Sequence, residues 1–121
     1  MAQKIQKTNP LLIDLINQLK KEAQEKDKPI WKDVALRLQK SSKNWPEVTL
    51  KRLEKHVNEK ETALVPGKVL STGQLTKKIP VAAWQFSERA KQKITDAGGK
   101  TMSIEELLKE NPEGKNVRIV G

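Results

Sequence analysis

The sequence predicts a mixed α/β (α+β) fold, in which an irregular strand–strand–helix core follows helical N-terminal segments. The first observation is that apolar residues recur at helical spacing in two segments before residue 40. The second is a pair of strand-length apolar runs, Thr62–Leu70 and Ile79–Ser87, separated by a polar, Lys-rich connector. From Glu61 onward the patterns give the order strand, strand, helix, strand, helix, strand, which is typical of an α/β or α+β protein.

The N-terminal third combines a basic stretch with two amphipathic helices. Residues 1–8 show no periodicity and are predicted to form a flexible basic arm. Asn9 is a suitable N-cap, and the proline after it opens a helix predicted over about residues 10–25. A second helix is predicted over about residues 30–39, with Trp31 at the head of its apolar stripe. A Trp in that position is more often a core anchor than a stacking platform, so we predict that Trp31 is buried.

Two alternatives remain open between the second helix and the long apolar runs. Trp45 lies in a basic loop, residues 40–46, and it either folds back onto the core or stacks on nucleic-acid bases. The residues after this loop form either a short strand through Val48 and Leu50 or a short helix that Thr49 caps.

The stretch Thr62–Ser87 is predicted to form a core hairpin with a cationic turn. It contains no Asp or Glu, although the whole chain carries 15 of them. Pro66-Gly67 interrupts the first strand and is expected to bend it. Pro80 has no N–H to donate, which predicts that the second strand begins at a sheet edge or a bulge. The Lys77-Lys78 connector would then be the turn, and we expect this turn to contact phosphate.

Helix caps and short apolar runs alternate in the last third of the chain. Ser87 is a good N-cap for a helix that ends at Gly98-Gly99, where left-handed backbone favours glycine. Ser103, with a glutamate three residues later, matches a capping box for the next helix. The segments 100–102 and 117–120 have the length and apolar content of strands.

The length of 121 residues predicts one compact domain with a modest core. Within it we predict a flexible basic arm over residues 1–8, a helical N-terminal segment over residues 9–60 and an α/β core over residues 61–121.

The charge balance predicts a polyanionic partner. The chain carries 24 Lys and Arg against 15 Asp and Glu, which gives a formal net charge of +9. Residues 1–60 hold 14 basic and 8 acidic side chains (+6), and residues 61–121 hold 10 and 7 (+3), so the excess is not confined to one tail. A pI near 9.8 is typical of proteins that bind nucleic acid. Because aromatic residues are scarce, we expect recognition of the phosphate backbone and shape of folded RNA.

The residues predicted to contact RNA are cations in the basic arm, in loops and on outward helix faces. A single such residue is more often a solvated side chain, so the prediction rests on the set. Its members are Lys4, Lys7, Arg37, Lys40, Lys43, Lys51, Arg52, Lys55, Lys68, Lys77, Lys78, Lys115 and Arg118.

No sequence pattern indicates catalysis, a cofactor or a metal ion. The chain has no Cys, and His56 is its only His, which excludes thiolate metal sites and paired-histidine sites. Phosphate-binding loops and dinucleotide-binding glycine motifs are also missing. No apolar run approaches the roughly 20 residues that span a bilayer. We therefore predict a cytoplasmic, non-enzymatic protein without a membrane partner.

Four sequence blocks occur in order and cover nearly the whole chain. They are Lys7–Pro10; Ile30–Ala35; Val65–Leu70 with Val81–Ala83 and Phe86-Ser87; and Ala97–Lys100 with Ile104–Leu108, Asn111-Pro112 and Gly114–Gly121. Together they resemble the archaeal and eukaryotic large-subunit ribosomal proteins of the family eighteen-e, relatives of the bacterial large-subunit protein fifteen. The short length resembles the archaeal members. The chain differs from the family pattern at Ser71-Thr72, Trp45 and Trp84. These differences affect the local loop contacts that the resemblance implies.

This resemblance implies a structural constituent of the large ribosomal subunit that catalyses nothing. Its implied partners are large-subunit ribosomal RNA and neighbouring large-subunit proteins, and its implied role is to support subunit assembly and translation. Two other classes compete with this interpretation. A small RNA-processing enzyme would need a convergent acid or His site. A protein-binding adaptor would need an exposed apolar stripe on Leu12, Leu15 and Leu19.

Overall fold

A computed structural model describes residues 9–40 and 45–121 and confirms the predicted mixed α/β class. In chain order its elements are α1 (Pro10–Lys26), α2 (Pro29–Gln39), β1 (Glu47–Thr49), α3 (Leu50–His56), β2 (Thr62–Leu70), β3 (Pro80–Phe86), α4 (Glu88–Asp96), β4 (Lys100–Ser103), α5 (Ile104–Glu110) and β5 (Val117–Ile119). The short strand and the short helix predicted as alternatives around Thr49 both form: β1 ends at Thr49, and α3 begins at the next residue.

The strands form one sheet in which every pair is parallel. The order is β1-β2-β3-β4, and β5 also pairs with β2. Since β3 occupies one edge of β2, both β1 and β5 lie along the other edge. β1 pairs with the C-terminal end of β2 (Thr49 opposite Leu70), and β5 pairs with its N-terminal end (Thr62 opposite Val117).

The predicted hairpin is wrong, because β2 and β3 run in the same direction. Ala63 lies opposite Val81 and Val65 lies opposite Ala83, which is a parallel register. The connector of residues 71–79 therefore crosses the sheet and returns to its starting end. Parallel strands are usually joined by a crossover of a dozen or more residues that contains a helix. Here the crossover is irregular, and it buries Leu75 and Ile79 against the sheet.

Pro66-Gly67 interrupts the regular pairing of β2, as predicted. The register between β2 and β3 shifts between Val65 and Lys68, so the ladder is irregular at the Pro-Gly pair. The backbone of Gly67 lies directly against Pro46, and the Lys68 N–H donates a 3.1 Å hydrogen bond to the Pro46 carbonyl. A Cβ atom at Gly67 would overlap that carbonyl oxygen.

Replacing Gly67 with alanine should lower the free energy of unfolding by about 3 kcal/mol, because the new methyl group forces β2 away from Pro46. Chemical denaturation followed by circular dichroism measures this change. Thr72→Ala, at an exposed position just after β2, serves as the control and should change stability by less than about 0.5 kcal/mol. Equal stability of the two variants would contradict the close approach at Pro46.

Pro80 is the first residue of β3, a strand in the interior of the sheet between β2 and β4. This corrects the prediction of an edge or a bulge at Pro80. The first position of a strand tolerates proline, because the missing N–H lies where the ladder of hydrogen bonds has only begun.

Two apolar clusters fill the faces of the sheet. On one face, α1, α2 and α5 pack over Leu64, Ala82 and Met102. On the other face, α3, α4 and the crossover pack over residues such as Val65 and Val81. The helices of segment 9–60 and the strands of segment 61–121 therefore share both clusters.

Trp31 is the largest side chain buried in the core, as predicted, with 0% of its surface exposed. Its indole Nε1–H donates a 2.8 Å hydrogen bond to the carbonyl of Pro112, 81 residues away in sequence. The polar atom of this buried ring is therefore satisfied, and α2 is tied to the segment before β5.

The predicted helix caps are confirmed. Asn9 Oδ1 accepts from the Leu11 N–H at 2.9 Å, and Ser87 Oγ accepts from Ala90 at 3.1 Å. Ser103 and Glu106 form a complete capping box. Gly98 ends α4 with a φ of 87°, the left-handed conformation expected there.

Candidate nucleic-acid interface

The carboxyl ends of β1 to β4 meet at one edge of the sheet because all four strands are parallel. Exposed cations collect there. Lys51 and Arg52 lie in the first turn of α3, directly after β1, and the Lys51 N–H bonds to the carbonyl of Thr72 just beyond β2. Lys68 lies near the end of β2, and Lys91 on α4 lines the same surface groove as Lys68. We refer to Lys51, Arg52, Lys68 and Lys91 as the carboxyl-edge cations.

All four carboxyl-edge cations are exposed. Within residues 9–40 and 45–121, none of their side chains forms an ion pair or a hydrogen bond. Such cations can bind phosphate without first breaking an internal interaction. Lys91 is not among the RNA contacts predicted from the sequence.

Two of the predicted RNA contacts are instead paired with acids. Arg37 Nε lies 2.9 Å from Asp33, one helical turn earlier, and its Nη1 donates to the Gly121 carbonyl at 2.9 Å. Arg118 Nε contacts both carboxylate oxygens of Glu61, at 3.0 and 2.9 Å. The pKa of Glu61 lies below its usual range, chiefly because the Asn58 N–H donates to it and also because Arg118 is adjacent. Both arginine side chains therefore form intramolecular contacts that stabilise the fold.

Lys77 does not lie at the tip of a turn. Its half-buried side chain donates to the carbonyls of Glu54 at 2.6 Å and Val57 at 3.0 Å, and so it caps the C-terminal end of α3. The hairpin turn predicted at Lys77-Lys78 is wrong, because β2 and β3 run parallel. Contact of these two lysines with phosphate stays a prediction. Lys78, its neighbour, is exposed near Gly98.

Two further side chains hold the crossover in place. Lys93 on α4 donates to the carbonyls of Ser71 at 2.9 Å and Gly73 at 3.1 Å. Glu54 on α3 accepts from the backbone N–H and the hydroxyl of Thr76, both at 2.7 Å. These bonds supply the order that a crossover helix would otherwise provide. The two bonds from Thr76 lower the pKa of Glu54, with the Thr76 hydroxyl as the largest cause.

Acidification should destabilise the protein partly by protonating Glu54. Its folded pKa lies below the ordinary value of 4.5, so its stabilising effect is present above pH 4.5 and is lost as the pH falls through the folded pKa. Glu54→Gln should therefore be less stable than the unmodified chain at pH 7 and should lose less stability as the pH falls below 4.5. Urea unfolding at a series of pH values measures both effects. Glu59→Gln makes the same charge change at an exposed turn position, and an indistinguishable pH profile for the two variants would contradict the role of Glu54.

The other predicted contacts are spread over the surface. Lys55, Lys78 and Lys115 are exposed and, within the described part of the chain, have no acidic partner. Lys40 lies at the end of α2, where its carbonyl accepts from the Trp45 indole at 3.1 Å. Lys4, Lys7 and Lys43 lie outside the described residues.

Trp45 packs back onto the protein, which is one of the two interpretations that the sequence left open. Its ring meets Trp84 edge to face, with centroids 6.2 Å apart and an interplanar angle of 75°. Both rings pack on the cluster that also contains Trp31. Trp84 is partly buried at the carboxyl edge and lines the same groove as Lys68 and Lys91.

Within the described ranges, no three His, Cys, Asp or Glu side chains are grouped so that they could hold a metal ion. Leu12, Leu15 and Leu19 are buried, so they do not form the exposed stripe that the adaptor interpretation required. A membrane-spanning helix is likewise absent from residues 9–40 and 45–121.

Comparison with known proteins gives matches over nearly the whole chain. The sequence profile described as "Ribosomal protein 60S L18 and 50S L18e" matches residues 2–121. A protein from Archaeoglobus fulgidus is 47% identical over 116 residues, which cover 96% of this chain and 99% of that protein. Proteins from Methanoregula boonei and Methanothermobacter thermautotrophicus are 44% and 43% identical over 120 residues, 99% of both chains in each case. All three are named "Large ribosomal subunit protein eL18".

Proposed function

Because the chain belongs to the L18/L18e family of ribosomal proteins, we propose that it is a structural constituent of the large ribosomal subunit and binds ribosomal RNA there. The resemblance drawn from the four sequence blocks, including its archaeal character, is thereby confirmed. As a ribosomal component the protein acts in the cytoplasm, in translation, and is not an enzyme. Its partners are the RNA and the proteins of the large subunit.

The carboxyl-edge cations are the observation that best supports RNA binding by this particular chain. Four exposed positive charges lie at one edge of the sheet, and none has an acidic partner within the described part of the chain. Unpaired lysines and arginines suit the phosphate backbone, which supplies most of the affinity of proteins for nucleic acid. We place the main RNA contact at this edge.

The remaining predicted cations would extend this contact rather than define it. Lys40, Lys55, Lys78 and Lys115 are exposed at other parts of the surface. Arg37, Lys77 and Arg118 are held by internal hydrogen bonds, so we expect smaller effects on RNA affinity when they are replaced. Lys4, Lys7 and Lys43 remain proposed contacts on the basis of charge alone.

A salt titration tests RNA binding directly. The full chain is mixed with archaeal large-subunit ribosomal RNA, and binding is measured by filter retention at several salt concentrations. We expect nanomolar-class affinity and a linear fall of log K with log salt concentration, as counterion release requires. Small-subunit RNA of the same organism is the matched control. Equal affinity for both RNAs would contradict a specific place in the large subunit.

Sedimentation tests the assignment to the subunit. A tagged copy expressed in an archaeal host should move with large-subunit particles in a sucrose gradient and should remain with them at moderate salt. A tagged copy found only at the top of the gradient would overturn the proposed function.

A further inference from the structure

A groove of about 440 Å³ opens at the carboxyl edge, over the ends of β3 and β4. Its volume falls within the roughly 300–1,000 Å³ that is usual for small-ligand sites in proteins. Lys68 and Lys91 line it, together with Trp84, Gln85 and Glu106. The groove therefore combines two positive charges, an aromatic ring, an amide and a carboxylate.

These groups are complementary to the base and the phosphate of a nucleotide. The indole of Trp84 is partly buried, and its contact with Trp45 holds it in place, so the part of the ring that lines the groove offers a fixed surface for base stacking. The amide of Gln85 both donates and accepts hydrogen bonds and can pair with a base edge. Lys68 and Lys91 have no acidic partner among the described residues, so both are available for a phosphate.

The carboxylate of Glu106 favours the binding of a single nucleotide over that of a longer strand with phosphates along the whole groove. One of its carboxylate oxygens accepts from the Ser103 N–H at 3.3 Å, as part of the capping box. Its negative charge disfavours a second phosphate beside it. The carboxylate can accept a hydrogen bond from an amino group of a base.

We propose that this groove captures one unpaired nucleotide of the large-subunit RNA, with its base on Trp84 and its phosphate between Lys68 and Lys91. The proposal rests on the proposed function, because it specifies which part of the RNA is recognised at the carboxyl edge. Single-stranded loops and bulges are the parts of RNA whose bases can be stacked on aromatic side chains. The aromatic contact adds to the phosphate contacts that the sequence composition predicts.

Ultraviolet crosslinking of the full chain on large-subunit RNA tests the inference. After digestion with nuclease and trypsin, cleavage after Lys78 and Arg89 releases the fragment Ile79–Arg89, which carries Trp84 and Gln85. We expect a nucleotide mass on this fragment, assigned to Trp84 or an adjacent groove residue. RNA binding with crosslinks confined to other fragments would overturn the inference.

A pair of matched variants gives a second measurement. Gln85→Ala combined with Lys91→Gln removes the amide and one charge from the groove, and we expect a loss of RNA affinity of about tenfold. Gln24→Ala combined with Lys21→Gln makes the same chemical changes at exposed positions of α1 and should weaken binding by less than about threefold. All four positions are exposed, and thermal melting checks that both variants remain folded.

The outcomes separate the two proposals. If the unmodified chain does not bind large-subunit RNA, the proposed function fails. If it binds, but the two variants lose affinity equally and Ile79–Arg89 carries no crosslink, only the nucleotide groove fails and the site is a surface depression. Loss of affinity confined to the groove variant, with a crosslink on Ile79–Arg89, supports the inference.

Discussion

Replacing all four carboxyl-edge cations with glutamine should lower the affinity for large-subunit RNA by about 100-fold at 100 mM salt. Each unpaired cation that contacts phosphate releases counterions from the RNA, and its loss reduces the slope of log K against log salt by about one. The fourfold variant should therefore bind with a slope that is shallower by about three to four. Filter binding across a salt series measures affinity and slope together.

The matched control for this variant removes four other exposed lysines, at positions 21, 26, 32 and 60, which likewise lack acidic partners in the part of the chain that the structure describes. Both variants have the same net charge, so long-range attraction to RNA decreases equally in both. A similar loss of affinity in the control would show that RNA affinity depends only on the net charge of the protein. It would contradict a defined contact at the carboxyl edge. Circular dichroism should show the folded spectrum for both, because none of the replaced side chains is buried.

Replacing Trp31 with alanine should lower the free energy of unfolding by about 3–5 kcal/mol, the usual range for removing a large buried aromatic side chain. The ring is fully buried and packs in the cluster that joins α1, α2 and α5 to the sheet. The substitution also removes the hydrogen bond from Nε1 and leaves the Pro112 carbonyl without this donor. Equilibrium unfolding in guanidinium chloride measures the change.

Leu36 provides the comparison on the same helix. Its side chain is 45% exposed, so Leu36→Ala should change stability by less than about 1 kcal/mol. A third variant, Trp31→Phe, keeps most of the apolar volume but removes the indole donor, and its stability should lie between those of the other two. If Trp31→Ala were no less stable than Leu36→Ala, the placement of Trp31 in the core would be wrong.

The local structure of this protein was predictable because its signals are short in range. Asn9, Ser87 and Ser103 cap helices through bonds to residues two or three positions away, so the sequence alone contains both partners. The irregular pairing at Pro66-Gly67 also follows from local chemistry, because proline lacks a donor and glycine has no side chain. The burial of Trp31 followed from the spacing of apolar residues along one helix.

The direction of β3 was not predictable from the same kind of signal. Two apolar runs joined by a short polar connector are compatible with a hairpin and with a parallel crossover, since side chains alternate in the same way in both. The choice depends on contacts between segments that are distant in sequence. Here the crossover buries its own Leu75 and Ile79 against the sheet, and Glu54 and Lys93 bind it from the two neighbouring helices.

The candidate site was likewise predictable from the sequence only in part. Charge and composition predicted an RNA-binding surface, and the sequence blocks predicted the family. Which cations remain available depended on the tertiary structure, because Lys77 caps α3 and Arg118 pairs with Glu61, both across long sequence separations. Lys91 joined the site only because β3 and α4 bring it beside Lys68 at the carboxyl edge.

The sequence by itself therefore determined the helix caps at Asn9, Ser87 and Ser103, the fold class, the net charge and the family, which depend on local bonds, periodicity and composition. The tertiary structure alone decided that the strands are parallel. It also decided which cations form intramolecular hydrogen bonds and which remain available to RNA. The physical reason is that a lysine's role depends on the nearest carbonyl, carboxylate or phosphate. In a folded chain that partner is often supplied by a residue far away in sequence.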